Sequence, residues 1–288
     1  MNRRTVRPKW PRRLRSPFGR RRRRRAVSRA YDPPMRVLAV DWSGAQQGEQ
    51  RLIWLAEAAP DGDRLLRLEA GRTREELVAH LVAELPRGAP GLVGLDFAFA
   101  VPAWYAARLG VHTADDLWAR AAAEGEGWLR DVESPWWGRP GKRRPELPAH
   151  LRLTELAHPP AKSVFQVGGT GAVGTGSVRG MPHLLTLRRA GFAVWPFHDD
   201  GWPRAVEIYP RRFTRPVRKS SAGARAAYLE TFHPALDPAH ARDAAASEHA
   251  FDAAVSALGM AAALAAGAGF PPAADAVERI EGAIWPPR

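Results

Sequence analysis

The sequence predicts an α/β protein with a mixed central sheet flanked by helices, and three observations carry that expectation. Two short apolar runs of strand length, residues 37–40 and 92–95, each lead directly into an aspartate, Asp41 and Asp96. Between them lie two further strand-like runs, residues 51–59 and 64–70, separated by Pro60-Asp61-Gly62-Asp63. Asp-Gly between apolar runs signals a hairpin, because glycine takes positive φ without steric penalty. Thr73-Arg74-Glu75-Glu76 then reads as a capping box, and Leu77, Val78, Leu81, Val82 and Leu85 recur at helical spacing until Pro86 and Gly88. The order is β, β, β, α, β: an antiparallel meander, then a crossover that returns a strand parallel to the first. If the fourth strand lies beside the first, Asp41 and Asp96 emerge at the same sheet edge, where ligands sit in open α/β sheets.

Charge divides the chain of 288 residues unevenly. The 43 Lys plus Arg and 30 Asp plus Glu leave a formal net charge of +13. Residues 1–34 hold 14 of the basic groups and one acid, Asp32, so the remaining 254 residues carry 29 of each sign. The interest of the neutral body therefore lies in its acids. The first 34 residues have too little apolar surface to offset ordering entropy and are expected to be a disordered tail, with a nucleic-acid-binding arm as the alternative. Met35 opens the first strand-like run, which also permits a start there. No apolar stretch follows the arginines, so a secretory signal is not expected and a cytoplasmic protein is. With no cysteine, disulfides, thiolate nucleophiles and Cys-based zinc sites are excluded.

The body is read as one domain, residues 35–288, interrupted by a Trp- and Pro-rich insertion at about 101–160 that resembles a lid. Beyond it, residues 163–167 suggest a strand and a glycine-rich loop follows. Pro182 suits the first turn of a helix closed by Gly191. Residues 192–197 and 204–209 read as strands, the second carrying Glu207. Helices are expected over 222–231 and from about Ser247. Residues 253–270 are apolar but mostly Ala and Gly, which suits a buried helix rather than a membrane span.

Asp41, Asp96, Glu207 and Asp252 all fall where the patterns predict burial. Buried carboxylates repel one another and lose hydration, so a cluster of them takes up protons or binds cations. Hard oxygen donors favour Mg²⁺ or Mn²⁺, and a pair of such ions activates water for phosphodiester cleavage.

The motifs around these acids resemble a known family. Asp41-Trp42-Ser43-Gly44-Ala45, Gly94-Leu95-Asp96-Phe97-Ala98-Phe99, Val206-Glu207-Ile208-Tyr209-Pro210 and Phe251-Asp252-Ala253-Ala254 look like the successive motifs of the domain of unknown function 429 family, described as predicted ribonuclease H-like nucleases. The resemblance runs from about Met35 to Ala266. It implies a ribonuclease H-like fold with Asp41, Asp96 and Asp252 as metal ligands, and Glu207 matches the family's Glu before a proline.

Other residues are weaker candidates. Glu248, four residues before Asp252, shares its helical face as a possible fifth metal ligand, although a Glu at a helix N-terminus is favourable without a metal. His249 is placed to relay a proton or lies at the surface. Ser43, Lys219 and Arg225 are candidate substrate contacts, the last two for phosphate unless they are solvated helix residues. Trp136 and Trp137, near several arginines, suit base stacking or a lid packed on the body. Gly169-x-Gly171-x-x-Gly174 matches the dinucleotide fingerprint, which requires a helix beginning within the glycines; a helix starting near Pro182, and the late Asp199 and Asp200, argue against it.

The leading expectation is a metal-dependent nuclease with nucleic acid as substrate. A nucleotide-binding or phosphotransfer protein of related fold is the first alternative, although actin-like and sugar-kinase folds use two domains of about 150 residues each. The second is a non-catalytic nucleic-acid-binding module, whose binding would fall steeply with salt and be lost without residues 1–34.

Overall fold

The computed structural model describes residues 35–198 and 201–287. The expectations for residues 1–34, and for Asp199 and Asp200, lie outside the described residues.

Six strands form one mixed sheet: β1 (Arg36–Asp41), β2 (Trp54–Ala58), β3 (Leu65–Ala70), β4 (Gly91–Leu95), β5 (Ala193–Val194) and β6 (Arg204–Glu207), in the order β3-β2-β1-β4-β6-β5. The first three are antiparallel, and β4 pairs parallel to β1 with Val40 opposite Leu95. β6 and β5 continue the parallel half. Nine helices cover the sheet: α1 (Arg74–Glu84), α2 (Ala103–Arg108), α3 (Ala114–Asp131), α4 (Leu153–Ala157), α5 (Gly174–Ala190), α6 (Ala222–Phe232), α7 (Pro238–Ala246), α8 (Glu248–Ala265) and α9 (Glu278–Glu281), counted among the described residues.

Strand alternation divides the core into two layers. Leu38, Val40, Val93 and Leu95 face a layer built from Leu77 and Leu81 of α1, Trp118 of α3 and Met181 and Leu184 of α5. Val37, Ala39, Leu92 and Val206 face the other, built from Tyr228 of α6, Ala244 of α7 and Phe251, Val255 and Leu258 of α8. By the same alternation Asp41 and Asp96 belong to the α8 side. Gly94 lets α8 approach there: a Cβ would meet Met260 Sδ at 2.5 Å and Ile208 Cγ2 at 2.7 Å. The α1 capping box forms as the sequence predicts, with Thr73 Oγ1 accepting from Glu76 N at 3.2 Å and Glu76 Oε2 from Thr73 N at 2.9 Å.

The structure corrects the reading of the middle of the chain. The segment at 101–160 is packed on the body: its helix α3 lies against α5 and completes one face of the protein. Its signals were legible, since Thr113 caps it and Leu117, Trp118, Ala121 and Leu129 form its buried stripe. α5 begins at Gly174, eight residues before Pro182, which lies inside the helix. Burial of Ser177, Val178, Met181, Leu184 and Leu187 along one face outweighs a proline's cost of about 3 kcal/mol. Residues 163–167 supply only a single bridge, Gln166 to Trp137. The strand expected at 192–197 shrinks to two residues, and α7, announced by Asp237-Pro238 as cap and first residue, was missed. Among the described residues no helix is long and apolar enough to cross a membrane.

Candidate functional site

The C-terminal edges of β1 and β4 and the first turns of α8 enclose a cavity of about 510 Å³ lined by Asp41, Asp96, Asp252, Glu207, Glu248 and His249. Asp41 is the last residue of β1. Asp96 follows β4, its amide donating to Val40 O at 3.0 Å. α8 starts at the Ser247 cap, so Asp252 lies one turn further on, three residues from His249 and four from Glu248.

The charge balance is specific. His249 Nδ1 stands 2.6 Å from Asp41 Oδ2, and Lys219 Nζ stands 2.6 Å from Asp252 Oδ1. The carboxyl of Asp96 has no hydrogen-bond or ion-pair partner among the described residues. Burial pushes Asp41 up to about 6, against the pull of the His249 hydrogen bond and with the Asp252 charge adding to the rise. Asp96 is held well above the usual carboxylate range by burial and then by the charges of Asp41 and Asp252. Burial also raises Asp252, opposed by Lys219. The Asp41 hydrogen bond raises His249. Three acids from three separate elements therefore feel one another's charge in one cavity.

The remaining predicted residues are placed otherwise. Glu207 lines the cavity, but both oxygens are engaged: Arg152 Nη2 lies 2.5 Å from Oε1, and Arg152 Nη1 and the Phe99 amide each lie 2.9 Å from Oε2. It belongs to a buried polar knot rather than to the open acid group. Glu248 is exposed at the cavity rim in the first turn of α8, where the helix dipole favours it. Arg225 is no substrate contact: it is buried, and its guanidinium donates to the carbonyls of Ala245 and Lys219, bracing the turn that carries Lys219. Trp136 and Trp137 are not stacking platforms for bases. Trp136 is 3% exposed, stacked on Trp128 at 5.6 Å and set edge-on against Tyr105 and Phe165. Trp137 is buried beside Phe165. Both serve the hydrophobic alternative that the sequence left open.

Ser43 is not among the residues lining the cavity, and its Oγ accepts from the Ala45 amide at 3.2 Å. The turn it occupies is tied back by two arginines that sequence reasoning missed. Arg74 Nη1 donates to the carbonyls of Ser43 and Ala45, and Arg179 to that of Gly44. Gly44 lies directly on the first turn of α5, where a Cβ would come within 2.5 Å of the Thr175 carbonyl carbon and 2.7 Å of Gly176 Cα. Backbone cannot yield as a flexible side chain does. Gly44→Ala is therefore expected to lower stability by about 1–3 kcal/mol, read by chemical denaturation; an unchanged midpoint would show that this contact relaxes freely.

Comparisons of the chain with protein-family models, with curated proteins and with solved structures found no match. The site is therefore interpreted from its own chemistry.

As donors, Asp41, Asp96 and Asp252 suit a hard divalent cation: they are carboxylates, they are close to buried, and their mutual repulsion is relieved by positive charge. Among the described residues no three His, Asp or Glu side chains already surround one ion position. Lys219 and His249 hold the compensating charges instead. The sequence signal for Lys219 was only its rarity as one of four lysines. Arg152 left no signal, because its role depends on partners far along the chain.

Proposed function

We propose that this protein is a metal-dependent phosphodiester hydrolase acting on nucleic acid, built on a ribonuclease H-like version of the α/β fold and related to the domain of unknown function 429 family. One observation carries the reading: Asp41, Asp96 and Asp252 arrive from β1, β4 and α8 at a single cavity, each with its carboxyl raised by burial. The strand order β3-β2-β1-β4, antiparallel and then parallel, supports the fold assignment.

Asp41, Asp96 and Asp252 would hold Mg²⁺ or Mn²⁺, with Glu248 at the rim. Such an ion lowers the pKa of bound water and neutralises charge on a phosphodiester. The chain's own residues do the rest. Asp96, free of protein partners, is the acid first open to a cation. Lys219 and His249 release Asp252 and Asp41 by turning toward the added phosphate charge. His249 lies half-exposed at the cavity with its second ring nitrogen available to move a proton. Arg152 and Glu207 keep the floor rigid without taking part.

The decisive experiment measures cleavage of RNA, DNA, hybrid and branched substrates with Mg²⁺ or Mn²⁺, comparing the wild type with Asp96→Asn. The expected result is metal-dependent cleavage reduced at least 100-fold in the variant. No cleavage of any substrate, or equal cleavage by Asp96→Asn, removes the reading.

One observation favours nucleotide binding as a second reading. α5 begins at the third glycine of Gly169-x-Gly171-x-x-Gly174, so the helical half of the fingerprint is present. The strand half is missing, since only the isolated Gln166 bridge precedes it. Micromolar ATP binding in calorimetry would favour this reading over cleavage.

A further inference from the structure

The cation paired with Asp252 is mounted too firmly for a surface counter-ion. Lys219 lies in the turn before α6, and its side chain is 12% exposed against 16% for that of Asp252. Buried Arg225 holds this turn by donating to two carbonyls, that of Lys219 and that of Ala245 in the last turn of α7. Ser221, two residues on, fixes the start of α6 by accepting from the Ala224 amide at 3.3 Å. Ala245 immediately precedes the approach to the Ser247 cap, from which α8 carries Asp252 into the cavity. One arginine therefore sets the backbone of the lysine against the start of the helix that bears its acid.

The contact between them is one of charge more than of direction. Asp252 Oδ1 is buried and accepts no well-directed hydrogen bond among the described residues, although Lys219 Nζ stands 2.6 Å away. A carboxylate oxygen held in this way meets a point charge, as it would meet a metal ion. The ammonium also acts beyond its partner, since its charge favours the ionised forms of Asp41 and Asp96 as well as that of Asp252. The other cations near the acids differ. His249 makes a hydrogen bond to Asp41 from a side chain that is 43% exposed. Arg211 adds charge toward Asp252 but is exposed and forms no ion pair with it among the described residues.

We infer that Lys219 is a built-in competitor of the metal: its ammonium is the resident cation of the acid group, and a divalent ion gains Asp252 only as Lys219 leaves it. The inference rests on the reading of Asp41, Asp96 and Asp252 as metal donors and adds to it how the free protein behaves. Without metal the buried acids keep a partner, so they do not stand against one another uncompensated. The same pairing holds metal binding to the free protein weak.

The test reads Mn²⁺ binding to the full chain, freed of metal and kept at pH 8 without nucleic acid, by loss of the free-ion EPR signal and by the rise in Tm. Lys219→Met keeps the length of the side chain and removes its charge. It is expected to melt lower than wild type without Mn²⁺, to bind the ion at least 10-fold more tightly, and to gain more in Tm when it is added. Lys219→Gln, which can still donate to Asp252, is expected to move the same way to a smaller extent and serves if the methionine variant does not fold. Arg211→Gln removes a charge that does not touch Asp252 and is expected to change affinity less than 3-fold. Adding Asp96→Asn to Lys219→Met is expected to abolish the gain, which assigns the ion to these acids. An equal gain in Arg211→Gln overturns the competition by tracing it to overall charge, and a gain that survives Asp96→Asn overturns it by placing the ion elsewhere. Tight wild-type binding left unchanged by Lys219→Met removes the competition alone and leaves the metal reading standing. No Mn²⁺ bound by either protein removes both.

Discussion

Arg152→Ala is expected to lower folding stability by about 3–5 kcal/mol, because it leaves buried carboxylates without their cation. Arg152 is 1% exposed, and Glu155 and Glu207 beside it are 3% exposed each. Its guanidinium bonds Glu155 Oε1 at 2.9 Å, both oxygens of Glu207, and the Glu281 carbonyl at 2.9 Å. Glu281 in turn accepts from the amides of Ala103 and Leu153 at 2.8 and 2.7 Å. One knot thus ties α2, α4, β6 and α9 together, and it is why the segment at 101–160 is fixed to the body. Guanidinium chloride denaturation checks the figure. Arg152→Ala combined with Glu207→Gln should recover part of the loss, since one stranded charge is then gone. Equal loss in the single and double variants would place the effect in packing rather than charge. A Glu207 that bound metal would instead make Glu207→Gln a cleavage-dead variant with nearly normal stability.

Asp41→Asn is expected to act in the opposite direction, raising stability at pH 7 in EDTA by up to about 3 kcal/mol. Asp41 is pushed from 3.8 up to about 6 in the folded protein, and every tenfold gain in proton affinity corresponds to about 1.4 kcal/mol. The sign follows from proton binding. Below about pH 4 both states are protonated and the group contributes nothing. Between about 4 and 6 the unfolded chain has released its proton while the folded one keeps it, so stability falls with rising pH and then levels. The half-buried His183 and His233, lowered by burial, slope the other way: their contribution is present above about pH 6.5 and is lost as pH falls through their folded values. The difference between wild type and variant cancels the His183 and His233 slopes and reports Asp41 together with His249, whose own rise depends on the Asp41 hydrogen bond. Thermal melts from pH 4 to 8 measure it, and a variant no more stable than wild type at pH 7 would mean that the His249 bond already offsets the burial. Added Mg²⁺ should stabilise the wild type more than the variant, because cation binding to the folded state shifts its equilibrium.

Local signals carried much of the fold. The Asp61-Gly62 turn, the Thr73 capping box, the Ser247 helix start and the β, β, β, α, β order all follow from near neighbours in the chain, and the β1–β4 pairing follows from the crossover rule. Where reading failed, a local preference was overruled or overlooked. Pro182 marks a helix start by propensity, but packing on α3 extends α5 back to Gly174. α3 itself was obscured by the Trp, Pro and Gly around it, although its cap and stripe were regular.

The candidate site shows the same division more sharply. From the sequence alone, Asp41 and Asp96 sit at the ends of neighbouring parallel strands and Asp252 on a buried helix, because strand period, crossover and helix capping are short-range rules. Only the tertiary structure decided which charges meet. Glu207 resembles the other acids in sequence, but it is claimed by Arg152, 55 residues away along the chain. His249 reaches Asp41 across 208 positions, and Lys219 reaches Asp252 from another turn. Charge pairing depends on distance and burial in space, which hydropathy does not encode, so the acids were legible as residues while their partners were not.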